Sequence, residues 1–253
     1  MKINEQLAQA CEKRCSRRAY RSVLIDARQE QAVRAIVSHV NEAGGLHFRF
    51  VRDGRNALSS FSASHGMFSG APSYVTISGP DTQKGREDCG YYGEWVVLEC
   101  TALDLGTCWV GGSFSAAKVE AEISIPAGET LFAVLAVGAV EDRLTRKEAL
   151  IYNAMHRKNK PYEVRSADGG AVSLPAAIAA AMIGVENAPS AVNKKPCRFT
   201  LDESGVLSVS VDDVLSVKSI DLGIAKLHAE IGLYAAGLQG AWDSCNRLIM
   251  KEK

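Results

Sequence analysis

The stretch Asp88–Trp109 reads DCGYYGEWVVLECTALDLGTCW, and the stretch Asp221–Trp242 reads DLGIAKLHAEIGLYAAGLQGAW. Both are 22 residues long and align without a gap at an offset of 133 positions. Unrelated segments of ordinary composition share roughly one or two identical columns. These share five, which are Asp88/Asp221, Gly90/Gly223, Ala102/Ala235, Leu105/Leu238 and Trp109/Trp242. The repeat predicts two similar halves in tandem, which can fold as an internal dimer with a site at the seam.

Each copy of the repeat is predicted to contain a long helix that packs at this seam. In the first copy Asp88 is the expected N-cap and Gly106 the expected end. Apolar residues three and four positions apart give each helix one core face. They are Tyr91, Trp95, Leu98, Ala102 and Leu105 in the first copy, and Ile224, Leu227, Ile231, Ala235 and Leu238 in the second.

The composition is that of a folded protein with no charge bias. The chain is 47% hydrophobic and 23% charged, and its 29 basic and 29 acidic residues balance. Such a chain can bury a core, and it lacks the basic excess typical of nucleic-acid or membrane-surface binding. The most apolar run, LFAVLAVGAV at 131–140, is too short to span a bilayer. We therefore expect no nucleic-acid partner and no membrane partner.

The cysteines indicate a reducing compartment. Seven are present, an odd number, and none forms a CxxC pair. Reduced thiols in a bacterial or similar cytoplasm are the expected state. Cys11 and Cys15 share a helix face, but no histidine or acidic cluster joins them, so no metal site is predicted.

The chain divides into a first half at 1–142, a connector at 143–173 and a second half at 174–253. In the first half we expect helices at 3–15, 26–40 and 115–121, and strands at 47–51, 72–78 and 131–138. The second of these helices has Asp26 as its expected N-cap and Gly44-Gly45 as its expected end. The connector is charged, with a helix over 145–156. The second half is expected to hold a helix at 174–185 and a hairpin of strands 197–202 and 206–211 around Glu203-Ser204-Gly205. This mixture predicts an α+β fold.

Three segments contain candidate binding residues. Arg17-Arg18-Ala19-Tyr20-Arg21 places three guanidinium groups within five residues, and Arg17 and Arg21 share a face if the segment is helical. Planar, multiply donating guanidinium groups suit a phosphate or carboxylate. The alternative is a solvated basic helix end.

The second segment is Ala188–Pro196, APSAVNKKP, in which two prolines fix an irregular backbone. Asn193 can donate and accept at the edge of a heteroaromatic ring. The third is Thr107–Gly112, TCWVGG, whose glycines let the backbone approach a ligand. The alternative for the second segment is an ordinary surface loop. The alternative for the third is a tryptophan that packs in the core.

Together the three segments resemble motifs of the nitroreductase family of flavin enzymes. That family carries R-R-S-x-R-x-F, A-P-S-x-x-N-x-Q-P-W and G-L-G-T-C-W-x-G, and this chain has RRAYRSV at 17–23, APSAVNKKPC at 188–197 and DLGTCWVG at 104–111. The order of the motifs and the repeat are similar to an internally duplicated subgroup called putative TM nitroreductases. The resemblance implies a nitroreductase-like α+β fold whose two halves form a pseudo-dimer, and a monomer in solution.

The resemblance also implies an FMN groove between the halves. Phosphate and ribityl contacts would come from Arg17, Arg18 and Arg21, with Arg143 and Arg146 as further phosphate contacts. The isoalloxazine ring would meet Pro189, Ser190 and Asn193, with Lys195 supplying positive charge at its pyrimidine side. The redox-active edge would lie near Gly106, Thr107, Cys108 and Trp109. No acid or base is assigned, and His228 is expected to be a packed histidine.

The chain departs from the family pattern at several positions. Ala19 removes a hydroxyl, Cys197 replaces a tryptophan, and Lys194 and Lys195 replace neutral residues. The second half has no RRxxR segment, and Arg157–Lys160 is its nearest equivalent. One complete site per chain is therefore predicted.

By resemblance the chain is an FMN-dependent oxidoreductase in which NAD(P)H drives two-electron reduction of nitroaromatic, quinone or related small-molecule acceptors. One alternative is a flavin-binding or sensing protein with little or no turnover. Another is a flavin enzyme of a different reaction type, such as reductive dehalogenation or flavin fragmentation.

Overall fold

The computed structural model describes residues 1–58, 68–157 and 160–251. Its helices are α1 (Glu5–Lys13), α2 (Ala27–Gly44), α3 (Arg55–Leu58), α4 (Gln83–Ala102), α5 (Ala116–Glu122), α6 (Arg146–His156), α7 (Ala176–Glu186) and α8 (Val217–Ala235), with a 3-10 turn at Ala191–Asn193. Its strands are β1 (Phe50–Val51), β2 (Ser73–Pro80), β3 (Gly106–Val110), β4 (Glu129–Gly138), β5 (Val164–Ser166), β6 (Arg198–Leu201), β7 (Leu207–Ser210), β8 (Gly240–Trp242) and β9 (Arg247–Met250).

The strands form two separate sheets. The first has the order β1-β2-β4-β3 and is antiparallel, with Thr107 of β3 opposite Val137 of β4. The second has the order β5-β6-β7-β9-β8 and is antiparallel except for the parallel pair β5/β6. The predicted α+β class is confirmed.

The long helices α4 and α8 pack against each other between two cores. Helix α8 contributes Leu227 and Ile231 to a core shared with α1, α2, α4 and the first sheet. It contributes Leu222 and Ala225 to a second core shared with α7 and the second sheet. Because α8 is apolar on two faces, it lies buried between the two cores instead of on the surface.

The contact between α4 and α8 is close and reciprocal. A Cβ atom added at Gly90 would lie 2.0 Å from the Ile220 carbonyl oxygen, and one added at Gly223 would lie 1.9 Å from that of Glu87. Positions 90 and 223 correspond in the repeat, and so do 87 and 220. A two-fold relation between two helices produces contacts of this kind. The internal duplication itself stays a prediction, which this contact supports.

The helix boundaries expected in the repeat are wrong. Helix α4 begins at Gln83, with the Thr82 hydroxyl as its cap, and Asp88 lies inside it, paired with Lys84 one turn earlier. Helix α8 likewise begins before Asp221, at Val217. Helix α4 ends at Ala102, and Gly106 opens β3, where it faces Gly138. Each copy of the repeat is therefore a helix followed by a strand.

Several local predictions are confirmed. Helix α2 starts after Asp26 with a capping box and ends at Gly45 in the left-handed region. Helix α6 starts after Thr145, and β6 and β7 form the expected hairpin. The strand expected at 47–51 is shorter, because only Phe50 and Val51 pair with β2.

Within the described residues, no helix has the length and apolar character needed to cross a bilayer. Lys158 and Asn159, in the segment Arg157–Lys160, lie outside the described residues.

Candidate functional site

A cavity of about 850 Å³ is lined by residues distributed along the chain from Cys11 to Ile224. Its walls come from the end of α1 and the residues after it, the end of β3, the end of α6, the loop after α7 and the start of α8. Six of the predicted site residues line it: Arg18, Trp109, Pro189, Ser190, Asn193 and Lys195. The other seven do not: Arg17, Arg21, Gly106, Thr107, Cys108, Arg143 and Arg146.

The arginine segment is extended, not helical. Helix α1 ends at Lys13, and Ser16 bridges Thr107 of β3. Successive side chains of an extended segment point to opposite sides. Arg17 therefore points into the protein, whereas Arg18 lines the cavity.

Arg17 is engaged within the protein. Its guanidinium donates to Glu148 Oε1 at 3.1 Å, to the Glu141 carbonyl at 2.9 Å and to the Arg143 carbonyl at 3.2 Å. Burial favours the neutral acid at Glu148, but backbone donors, together with Arg17, lower the pKa of this carboxyl to about 2. The expectation that Arg17 faces a ligand is corrected, because this ion pair anchors α6 to the arginine segment.

The remaining residues outside the cavity also have other surroundings. Arg21 is exposed and pairs with Glu141 at 3.0 Å, and Arg143 and Arg146 are exposed near the start of α6. Gly106, Thr107 and Cys108 are buried in β3, where side chains face a core or a neighbouring segment. Burial raises the pKa of the Cys108 thiol, which disfavours the reactive thiolate.

Two arginines present unsatisfied donors at the cavity. The Nε atoms of Arg14 and Arg18 are buried and have no hydrogen-bond partner among the described residues. Arg14 Nε lies 3.7 Å from Glu94 Oε1, which is an ion pair beyond hydrogen-bond length. A buried donor without a partner costs about 1–3 kcal/mol. Donors of this kind mark a place where a ligand can supply the acceptor.

Arg14 and Arg86 are cavity residues that sequence reasoning missed. Arg86 stacks 4.4 Å from the Phe132 ring centroid and pairs with Asp81 at 2.7 Å. The signal for Arg14 was available, because it lies three residues before the arginine segment in RCSRRAYR. No comparable signal marks Arg86, which reaches the cavity from α4.

The loop after α7 is held in an unusual conformation. Val192, Asn193 and Lys195 have φ values of 45°, 56° and 49°, in the left-handed region that β-branched and bulky residues rarely adopt. The Ser190 hydroxyl accepts from the Lys195 backbone at 2.9 Å, and Asn193 Nδ2 donates to the Met155 carbonyl at 3.2 Å. Backbone strain of this kind persists where surrounding contacts impose it, often at binding sites.

Two charged side chains flank this loop. Lys195 Nζ pairs with Glu186 at 2.5 Å, so its positive charge already has a partner. Asp221 accepts from the Ala191 backbone at 3.0 Å, and burial raises the pKa of its carboxyl to about 7. Asp221 was recognised as a repeat column and not as a site residue.

Trp109 and His228 share a buried partner, Glu94. Trp109 Nε1 donates to Glu94 Oε2 at 2.7 Å, and His228 Nε2 lies 3.0 Å from Oε1. The other ring nitrogen of His228 lies 3.2 Å from Cys11 Sγ. His228 is completely buried, as expected for a packed histidine, yet both of its nitrogens are bonded.

Comparison with known proteins places this geometry in context. The family model described as "putative TM nitroreductase" matches residues 6–233. No curated protein matches the sequence. Among solved structures, the chain is similar to a putative nitroreductase from Thermotoga maritima. The two proteins are 20% identical, the match covers 99% of this chain and 95% of that chain, and the TM-score is 0.57. This likeness shows a shared fold. A nitroreductase with bound FMN from Bacteroides fragilis is 22% identical over 57% of this chain and 93% of its own, with a TM-score of 0.39.

Proposed function

The chain belongs to the putative TM nitroreductase family, and from this premise we propose that it is an FMN-dependent oxidoreductase. In this proposal NAD(P)H drives the two-electron reduction of nitroaromatic compounds, quinones or related small-molecule acceptors. The observation that carries the proposal is the cavity between the halves with its two unsatisfied arginine donors.

The residues present fit an anionic, planar cofactor. A cavity of about 850 Å³ falls within the range of sites for ligands of this size. Arg14 and Arg18 would hold the anionic groups, because both side chains line the cavity and each guanidinium group can donate several charged hydrogen bonds. Trp109, Phe132, Ile220 and Ile224 supply flat or apolar walls for a ring system.

The protein's contribution is positioning and charge. When bound, FMN supplies the electron chemistry, accepting a hydride equivalent from NAD(P)H and passing two electrons to the acceptor. Pro189, Ser190 and Asn193 line the same cavity as Arg18, in a loop whose Ala191 backbone N–H donates to Asp221. With a pKa near 7, the Asp221 carboxyl can hold or release a proton at the cavity at neutral pH.

Purified protein provides the test. We expect the protein to retain or take up FMN and to show an absorbance band at about 450 nm that NAD(P)H bleaches under anaerobic conditions. A protein that takes up no added FMN overturns the proposal.

A second candidate is a flavin-binding protein with little turnover. The pairing of Lys195 with Glu186 favours it, since the positive charge expected at the pyrimidine side is already neutralised. The same experiment distinguishes the two candidates, because a bound flavin that NAD(P)H does not bleach identifies the second.

We further propose that the chain is a monomer in which 1–142 and 174–253 form a pseudo-dimer joined by 143–173. The reciprocal contact of Gly90 and Gly223 supports this arrangement. All seven cysteines are free, which supports a cytoplasmic location. Size-exclusion chromatography with light scattering tests the monomer.

A further inference from the structure

Cys11, His228 and Glu94 form a connected series of side chains at one wall of the cavity. The Cys11 Sγ to His228 Nδ1 distance is 3.2 Å, and the His228 Nε2 to Glu94 Oε1 distance is 3.0 Å. The three residues come from α1, α8 and α4. His228 and Glu94 are completely buried, and Cys11 is 4% exposed at the point where it lines the cavity.

The hydrogen bonds fix the roles of the imidazole nitrogens. An indole N–H can only donate, so Glu94 Oε2 accepts from Trp109 and the carboxylate is oriented. Glu94 Oε1 then accepts from His228 Nε2–H. In the neutral imidazole this leaves Nδ1 as the acceptor, and it faces the Cys11 thiol.

We propose that Cys11 is a nucleophile for small α,β-unsaturated carbonyl compounds that enter the cavity, with His228 as its general base and Glu94 as the group that orients His228. In this reaction Sγ forms a bond to the β carbon as the carbon–carbon π bond breaks, and the electron pair moves to the carbonyl oxygen. The thiol proton passes to His228 Nδ1 and from there to the enolate. The thioether product contains every atom of both reactants, and no oxidant or reductant is needed.

The surroundings of the pair are consistent with this role. Arg14, the residue after α1, lies 3.7 Å from Glu94 and balances its charge, and Cys15 lies four residues after Cys11. Burial lowers the pKa of His228, but the adjacent Cys11 and Glu94 outweigh burial and raise it to about 9. The raised pKa means that His228 holds a proton more firmly than free imidazole does, which favours transfer of the thiol proton from Sγ to Nδ1.

Cys15 provides an internal control. It lines the same cavity and is more exposed than Cys11, but its thiol contacts the Ser16 carbonyl at 4.0 Å instead of an imidazole. Burial raises the pKa of the Cys15 thiol. Accessibility alone therefore favours reaction at Cys15, whereas the proposal favours Cys11.

The test treats the full-length protein with methyl vinyl ketone at pH 7 and follows each cysteine by peptide mass spectrometry. We expect Cys11 to be modified at least about tenfold faster than Cys15. A Cys11 that reacts no faster than Cys15 overturns the proposal, and this comparison needs no variant.

Variants then test whether His228, and not the cavity alone, determines the modification rate of Cys11. His228→Asn should slow modification at residue 11 at least about tenfold, while Cys15→Ser should leave the Cys11 rate unchanged. Cys11→Ser should abolish the adduct at residue 11 with the Cys15 rate intact, and circular dichroism checks that each variant is folded. An unchanged Cys11 rate in folded His228→Asn refutes the role of the base. The flavin proposal is unaffected by these outcomes, because no flavin takes part.

Discussion

Glu94 and His228 are 134 positions apart in the sequence, yet Glu94 Oε1 lies 3.0 Å from His228 Nε2 and neither side chain reaches solvent. The contact joins α4 to α8. It is the most buried ionisable pair in the described structure. Its contribution to the free energy of unfolding should therefore differ from that of ion pairs on the surface.

Removing one partner of this pair should be costly. Glu94→Ala leaves His228 and Trp109 without their shared acceptor, and we expect a loss of about 3–5 kcal/mol in the free energy of unfolding, measured by urea titration. The exposed pair of Glu163 and Arg165 provides a control, and Glu163→Ala should leave the urea midpoint unchanged. Equal effects of the two substitutions would show that burial does not set the value of the Glu94 contact.

The reciprocal glycine contact should respond equally on both sides. Gly90→Ala and Gly223→Ala each place a Cβ atom within 2.0 Å of a backbone oxygen, so the helices must separate. We expect each substitution to destabilise the protein by about 3 kcal/mol. Gly111→Ala, where the added atom meets nothing within 4 Å, should be close to neutral. A large difference between the first two substitutions would contradict a two-fold relation.

Neighbouring arginines should have different roles. Arg18→Ala removes a cavity donor, and FMN affinity should fall about tenfold or more while the urea midpoint stays within experimental error. Arg17→Ala breaks the buried contact with Glu148, so it should lower the midpoint. Flavin fluorescence quenching measures the first effect and urea unfolding measures the second. A reversed pattern would mean that Arg17, and not Arg18, meets the ligand.

Glu148 should make stability depend on pH in the acid range. Its pKa in the folded protein, about 2, lies below its ordinary value of 4.5. A depressed carboxyl pKa stabilises the fold above the unfolded pKa, and this contribution is lost as pH falls through the folded pKa. The difference in urea midpoint between wild type and Glu148→Gln should therefore be full above about pH 5 and shrink towards pH 2. A constant difference over this range would argue against the assigned pKa.

Asp221 should affect the alkaline side of the activity profile. Its carboxyl pKa is raised to about 7 by burial, so the neutral acid predominates below that pH. If this proton is transferred during acceptor reduction, turnover should fall as pH rises through 7. Asp221→Asn should remove this alkaline limb of the pH–activity profile. The Asn variant keeps an oxygen that can accept from the Ala191 backbone, so the loop should be preserved. Retention of the limb in the variant would show that another group titrates.

The features predicted correctly from the sequence depend on local chemistry. The Asp26 cap, the Gly45 end of α2 and the hairpin at Gly205 are each set by residues a few positions apart. The start of α4 was misplaced because Asp88 satisfies an N-cap pattern as well as Thr82 does, and only packing distinguishes them. The motif resemblance selected Pro189, Ser190 and Asn193, which line the cavity, but their contact with FMN stays a prediction.

The distribution of the arginines could not be read from the sequence. Which of Arg17 and Arg18 faces the cavity depends on Glu148, which lies 131 positions from Arg17. Likewise, the partner of His228 is fixed only when α1, α4 and α8 meet. Such contacts depend on tertiary structure, and no local pattern encodes them.

The position of the cavity walls along the chain has a consequence for biosynthesis. Cys11 and Arg14 lie near the amino terminus, whereas Ile220 and Ile224 are reached only after most of the chain has been made. While the ribosome is still translating the second half, the first half presents one wall of the cavity without the other. Any ligand that needs both walls must therefore be captured late, when α8 has been released and has docked against α4.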